Sequence, residues 1–187
     1  MASGSSEKPW FLTDETGARS VVFRAIIFRE YHKDITNILG ERAADEILYR
    51  LGLKLGKTAR RLYFNLNRTE TEFWTDLTAK FQARGWGNVV SHTHVGNVAE
   101  IVVEDSALAE EGVAGNACHL LRGLFAGWLS VFGKVTEAKE LQCKSQGYRL
   151  CRFQFTINNA EKHDYGLMPW TQSPTITYLP PLSLRSE

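Results

Sequence analysis

The chain has 187 residues, 43% of them apolar and 23% charged, with a formal net charge of +1. That length suits one domain around one core. So balanced a charge gives no basis for nucleic-acid binding, which rests on a basic excess. No stretch approaches the roughly 20 apolar residues that span a bilayer, and the first residues lack a signal-peptide core. A cytoplasmic protein, at most peripheral to a membrane, is expected.

In chain order, residues 1–16 begin small and polar and read as a flexible N-terminal segment, in which Trp10 and Phe11 could tuck onto the domain or a partner. From Ser20 to Glu30 apolar residues dominate, and helix and strand both remain open. Glu30 to Leu39 reads as helix, stopped by Gly40. Glu41 to Phe64 reads as a long amphipathic helix, because Ala44, Ile47, Leu48, Leu51, Leu55, Ala59 and Leu62 recur at three and four residues. Gly52 and Gly56 share one face of it. Glycine inside a helix costs about 1 kcal/mol against alanine, so something must approach the backbone there. Tight packing of another helix is the plainer reading and a ligand the alternative.

Asn67 to Ala83 is expected as the next helix, with Phe73, Trp74, Leu77 and Phe81 on its apolar side and Gly85 closing it. Val89–His94 and Val98–Val103 are β-rich, with a turn at Gly96 and Asn97. His92 and His94 alternate on one strand and point to the same sheet face. They could bind a metal or protonate near neutral pH, but with no third ligand nearby a solvated or hydrogen-bonded pair is the simpler reading. Ser106–Gly115 reads as a polar connection with a small helical piece. The helix expected from Asn116 to Phe132 is apolar around most of its circumference, which buries it or sets it along a cavity. Val135–Cys143 and Tyr148–Ile157 form a closing hairpin. The tail of residues 158–187 carries Trp170 and four of the five prolines and should run extended or dock on a partner.

All three cysteines, Cys118, Cys143 and Cys151, lie in the C-terminal part, and Glu140 precedes the second by three residues. Three thiolates and a carboxylate can complete a tetrahedral shell around zinc. Burial as small hydrophobes or a Cys143–Cys151 disulfide are the competing readings, the latter disfavoured by the odd count and missing secretory signal. His119 and Glu137 are reserve ligands. An iron–sulfur cluster usually needs four cysteines.

The pattern C-x4-G-x3-G followed by E-x2-C-x3-G-x3-C-x-F, formed by Cys118, Gly123, Gly127, Glu140, Cys143, Gly147, Cys151 and Phe153, resembles the 4-vinyl-reductase domain. LGLKLGKTAR, with Gly52 and Gly56, looks like the glycine-spaced helix of that domain. The resemblance covers about residues 20–157. It implies a single domain of α/β (α+β) type over residues 17–157, with an antiparallel sheet and helices packed on one side, related to trafficking-complex subunits and haem-type nitric-oxide sensors. It also implies a structural zinc held by Cys118, Glu140, Cys143 and Cys151, and a homodimer. Members of the family bind small apolar or aromatic molecules in an internal cavity. Some are sensors of phenols and toluenes fused to an ATPase and a DNA-binding domain; others are stand-alone proteins of chlorophyll metabolism and photosystem assembly. The sequence ends without those sensor domains and lacks an aromatic residue expected near Val103, so no phenol-contacting residue is carried over and the stand-alone branch fits better.

The resulting expectation is a zinc-stabilised protein that binds an apolar ring compound of tetrapyrrole or chlorophyll type. It would serve as an accessory or assembly factor in the biogenesis of photosynthetic pigments or photosystems, with a membrane complex as a further partner. The candidate cavity residues are Leu51, Gly52, Leu55, Gly56, Trp74, Phe125 and Trp128. A second reading is a component of a vinyl reductase in chlorophyll biosynthesis. Reduction needs a hydride or electron source, and no GxGxxG after a strand or other nicotinamide or flavin signature is evident, so an enzyme acting alone is disfavoured. A third reading is a pure interaction module that uses the 158–187 tail. Lys139, Lys144, Arg149 and Arg152 are expected to offset the charge of a three-thiolate, one-carboxylate shell.

Overall fold

Glycines set the ends of the helices. In the computed structural model, which describes residues 12–13, 19–20, 24–63, 69–109 and 118–158, α1 (Ala25–Leu39) stops at Gly40, whose φ of +85° suits a residue without a Cβ. The segment left open between helix and strand is therefore helical from Ala25. α2 (Glu41–Tyr63) follows directly. Before α1, β1 (Leu12–Thr13) and β2 (Arg19–Ser20) form a short antiparallel pair.

α3 (Glu70–Ala83) begins three residues later than the sequence pattern suggested. The reason is a capping box. The Glu72 N–H donates to Thr69 Oγ1 at 3.3 Å, and the Thr69 N–H donates to Glu72 Oε2 at 2.8 Å. The helix buries Phe73, Trp74, Leu77 and Phe81, the four residues expected on its apolar side.

The main sheet is antiparallel with strand order β3-β4-β6-β5: β3 (Asn88–Val95), β4 (Val98–Glu104), β5 (Lys134–Gln142) and β6 (Cys151–Asn158). Two hairpins thus meet along one seam, where β4 pairs with β6 from Val98↔Thr156 to Val103↔Cys151. Alternation along β6 buries Cys151, Phe153, Phe155 and Ile157 and leaves Arg152, Gln154 and Thr156 on the other face.

α4 (Cys118–Leu129) lies against the buried face. It stops short of the expected Phe132, because Ser130 to Phe132 form a turn that leads into β5. Phe125 packs on Phe153 and Phe155 of the sheet and on Phe81 of α3, with ring centroids 5.6, 6.4 and 5.1 Å apart. On its other side α4 meets α2 through glycines of both helices. A Cβ at Gly52 would stand 2.0 Å from the Leu120 carbonyl oxygen, and one at Gly123 would stand 2.0 Å from that of Tyr49. Gly56 and Gly127 make the same approach one turn on. This explains why α4 is apolar all round: it is covered on both sides. The fold is a mixed α/β domain of four helices and a four-stranded antiparallel sheet among the described residues. The expectations for residues 159–187, for residues 1–11 and for most of the 106–115 connection lie outside the described residues.

Candidate metal centre

Three local features bring the cysteines together. Cys118 is the first residue of α4. Cys143 follows the end of β5 and opens a tight turn that closes at Gly147, with φ +89°. That turn returns the chain to Cys151, the first residue of β6. Glu140 is paired with Phe153, and the register slips between Glu140 and Gln142. Such an irregularity re-aims the side chains beside it.

The result is a cluster of Cys118, Glu140, Cys143 and Cys151 whose ligand atoms all lie within 4.8 Å of one another. The cysteines are buried and the carboxylate is half-buried. The sulfur–sulfur distances are 3.6 Å for Cys143–Cys118, 3.9 Å for Cys118–Cys151 and 4.0 Å for Cys151–Cys143. A tetrahedral ion with metal–sulfur bonds of about 2.3 Å would set its sulfurs about 3.8 Å apart. The donor set therefore fits a tetrahedral metal. It does not fit the disulfide considered from sequence, because a bonded pair stands at about 2.05 Å, and all three cysteines are free.

Protons are unequally held among the sulfurs. Cys151 is pulled down to about 4 by hydrogen bonds from Cys118 and Cys143, helped by the Lys144 backbone N–H and opposed by burial. Cys118 is pushed well above the ordinary thiol range by its hydrogen bonds to Cys143 and Cys151, then by burial and by the Glu140 charge. The Ser145 hydroxyl lies 3.0 Å from Cys143 Sγ.

The four cations expected to offset the cluster each have a carboxylate elsewhere: Lys139 with Glu137, Lys144 with Asp105, Arg149 with Glu104 and Arg152 with Glu100. The reserve ligands are thereby placed as well. Glu137 is held by Lys139. His119 turns its Nε2 to Asp45 Oδ1 at 3.1 Å, and the same oxygen meets His32 Nε2 at 3.0 Å. Burial, and then the Arg122 guanidinium, hold His119 below the ordinary imidazole range. Sequence reasoning missed this link between α1, α2 and α4, since its members lie on three separate helices.

The cavity candidates divide. Trp74, Phe125 and Trp128 belong to the core, and Leu51 packs partly buried against it. Leu55 is 39% exposed and lies at the surface rather than inside. At Gly52 and Gly56 the space left by the missing side chains is taken by the backbone of α4. His92 and His94 are both engaged with α3. His92 stacks on Trp74 at 4.5 Å and 6°. His94 Nδ1 meets Glu70 Oε1 at 2.8 Å, and the Trp74 indole N–H donates to the same oxygen at 3.2 Å.

The 4-vinyl-reductase domain family model matches residues 99–157, the stretch that contributes all four cluster residues. Residues 99–157 form a 4-vinyl-reductase domain. Solved structures extend the likeness over most of the chain. The phenol-responsive sensory domain of the transcription activator PoxR with phenol is 15% identical with a TM-score of 0.61, covering 75% of this chain and 77% of that one. A trafficking protein particle complex subunit 3 from Naegleria fowleri, covalently bound to palmitic acid, is 15% identical with a TM-score of 0.55, covering 72% and 95%. A vinyl-4-reductase family protein from Methanocaldococcus jannaschii is 16% identical with a TM-score of 0.50, covering 74% and 84%. At such identities the likeness is one of fold. No curated protein matches the chain in sequence. No helix among the described residues is long and apolar enough to cross a membrane.

Proposed function

We propose that this 4-vinyl-reductase-domain protein is a metal-stabilised, homodimeric receptor for a small apolar ring compound. The observation that carries the reading is an aromatic enclosure with one polar atom in it. Phe132, in the turn after α4, packs on Phe73 at 4.9 Å, on Trp74 at 6.2 Å and on His94 at 4.8 Å. Glu70 holds His94 by Nδ1, and its Nε2 is buried without a hydrogen-bond partner. Apolar walls with a single unsatisfied polar group are what a ring compound with one polar substituent needs. The fold likeness to a phenol-bound sensory domain and to a palmitate-bound subunit supports small apolar ligands.

Zinc is the ion the donor set favours, through Cys118, Glu140, Cys143 and Cys151. Four protein ligands close a tetrahedral shell, so the metal would supply stability rather than Lewis-acid chemistry. The tetrapyrrole ligand and the photosynthetic role rest on the sequence resemblance alone; nothing in the fold selects them over a single-ring compound.

The test is a tryptophan-fluorescence titration of zinc-loaded protein with phenol and with 2-naphthol, repeated on His94→Ala and Phe132→Ala. Saturable binding that weakens at least tenfold in both variants supports the reading. Binding unaffected by either variant, or no binding of any ring compound together with none recovered by native mass spectrometry from the host, overturns it.

A further inference from the structure

α1 buries His32 and Ile35 but exposes apolar side chains along a neighbouring stripe. Ile27 and Tyr31 are about half exposed and Ile38 is 77% exposed. Ile27, Tyr31, Asp34 and Ile38 follow at spacings of four, three and four, so they form one row along the helix. Isoleucine at this exposure is unremarkable singly; a row of apolar side chains along one helix calls for a cover.

We infer that the cover is α1 of a second copy, packed antiparallel about a two-fold axis passing between residues 32 and 33. The inference rests on the proposed homodimer and adds its surface and register. The support is that the stripe complements itself. Under that axis Ile27 of one copy faces Ile38 of the other, and Tyr31 faces Asp34, whose carboxylate can accept from the phenol hydroxyl. The end of α1 at Arg24 lies beside the other copy's end at Glu41, and both residues are exposed. A parallel pairing would instead set Asp34 against Asp34 and align the helix dipoles. A two-fold contact of this kind is isologous, with each pair occurring twice.

The contact is small. A helix of 15 residues is about 22 Å long, and one such seam falls below the roughly 800 Å² per partner of tight complexes. Association in the micromolar range is expected, with charge setting orientation more than affinity.

Sedimentation equilibrium of the zinc-loaded full chain between about 5 and 500 µM tests the inference, with Ile27→Glu and Ile38→Lys as variants. Both positions are exposed, so the fold should tolerate them, and circular dichroism checks that it does. Each variant alone should raise the dimer dissociation constant at least tenfold. An equimolar mixture of the two should associate more tightly than either, because the introduced carboxylate then faces the introduced ammonium. A wild-type monomer at every concentration overturns the dimer and the inference together, and means that another occupant, such as a terminal segment of the chain, takes the stripe. A wild-type dimer that both variants retain keeps the dimer and overturns the surface. Loss in both variants without recovery in the mixture overturns the register. Ring-compound binding that survives in either monomeric variant leaves the receptor reading standing on its own.

Discussion

Replacing Gly123 by alanine tests the crossing of α2 and α4. In an open helix the change would stabilise by about 1 kcal/mol through helix propensity. Here the new methyl would stand 2.0 Å from the Tyr49 carbonyl oxygen and 2.7 Å from the Leu53 nitrogen, against 3.4–4 Å for ordinary contact. Both are backbone atoms, so no side chain can swing aside and the two helices must part. Overpacking of a core costs about 1–3 kcal/mol, and a rigid neighbour puts this site at the upper end. The net expectation is a loss of about 2 kcal/mol, or about 4–8 °C in melting temperature for a chain of this size. Urea denaturation of the metal-loaded protein measures it through the midpoint at unchanged slope. A variant as stable as the parent, or more stable, would refute the close-crossing argument, since propensity alone would then have decided the outcome.

Chelation should lower the melting temperature, and zinc at about 100 times its dissociation constant should add about 2.7 kcal/mol; an unchanged melt would sink the metal centre. Cys151→Ser and Glu140→Gln should each weaken zinc binding by more than the roughly 10–100-fold typical of outer-shell changes, read by competition with a chromophoric chelator. In metal-free protein the Cys151 thiol, lowered to about 4, is deprotonated above that pH and protonated below it. Ultraviolet thiolate absorbance should therefore persist at neutral pH and disappear as pH falls through about 4, and Cys151→Ser should abolish the neutral-pH signal. Thr69→Ala should cost about 1 kcal/mol by removing the cap of α3, measured by thermal melting, without effect on zinc stoichiometry.

Periodicity made the four helices and both hairpins of the main sheet readable, because each carries an apolar face that a neighbour covers. The cluster was readable for a different reason: Cys118, Glu140, Cys143 and Cys151 lie close together in the C-terminal part, and the resemblance named them as a set. Boundaries were less legible. Thr69 and Glu72 spell a capping box that would have moved the start of α3 to Glu70 had it been weighed. The glycine faces were ambiguous in principle, because a missing side chain admits a ligand or a backbone equally, and only the partner helix decides. Leu55 shares the apolar period of α2 yet faces water, since period gives a side but not the width of what covers it. The contacts of Asp45 with His32 and His119 and of Glu70 with His94 join residues far apart in the chain, and no local pattern announces such meetings.

The seam between β4 and β6 stitches the two hairpins together, and its last rung is Val103↔Cys151. A metal ligand therefore also serves as the end stop of that stitching. Loss of the ion should unzip the sheet from this rung, so that amides near Val103 and Cys151 exchange with solvent before those near Val98 and Thr156, as local opening proceeds from the least-held end. Metal supply would then set which end of the sheet opens first, long before it decides whether the protein is folded.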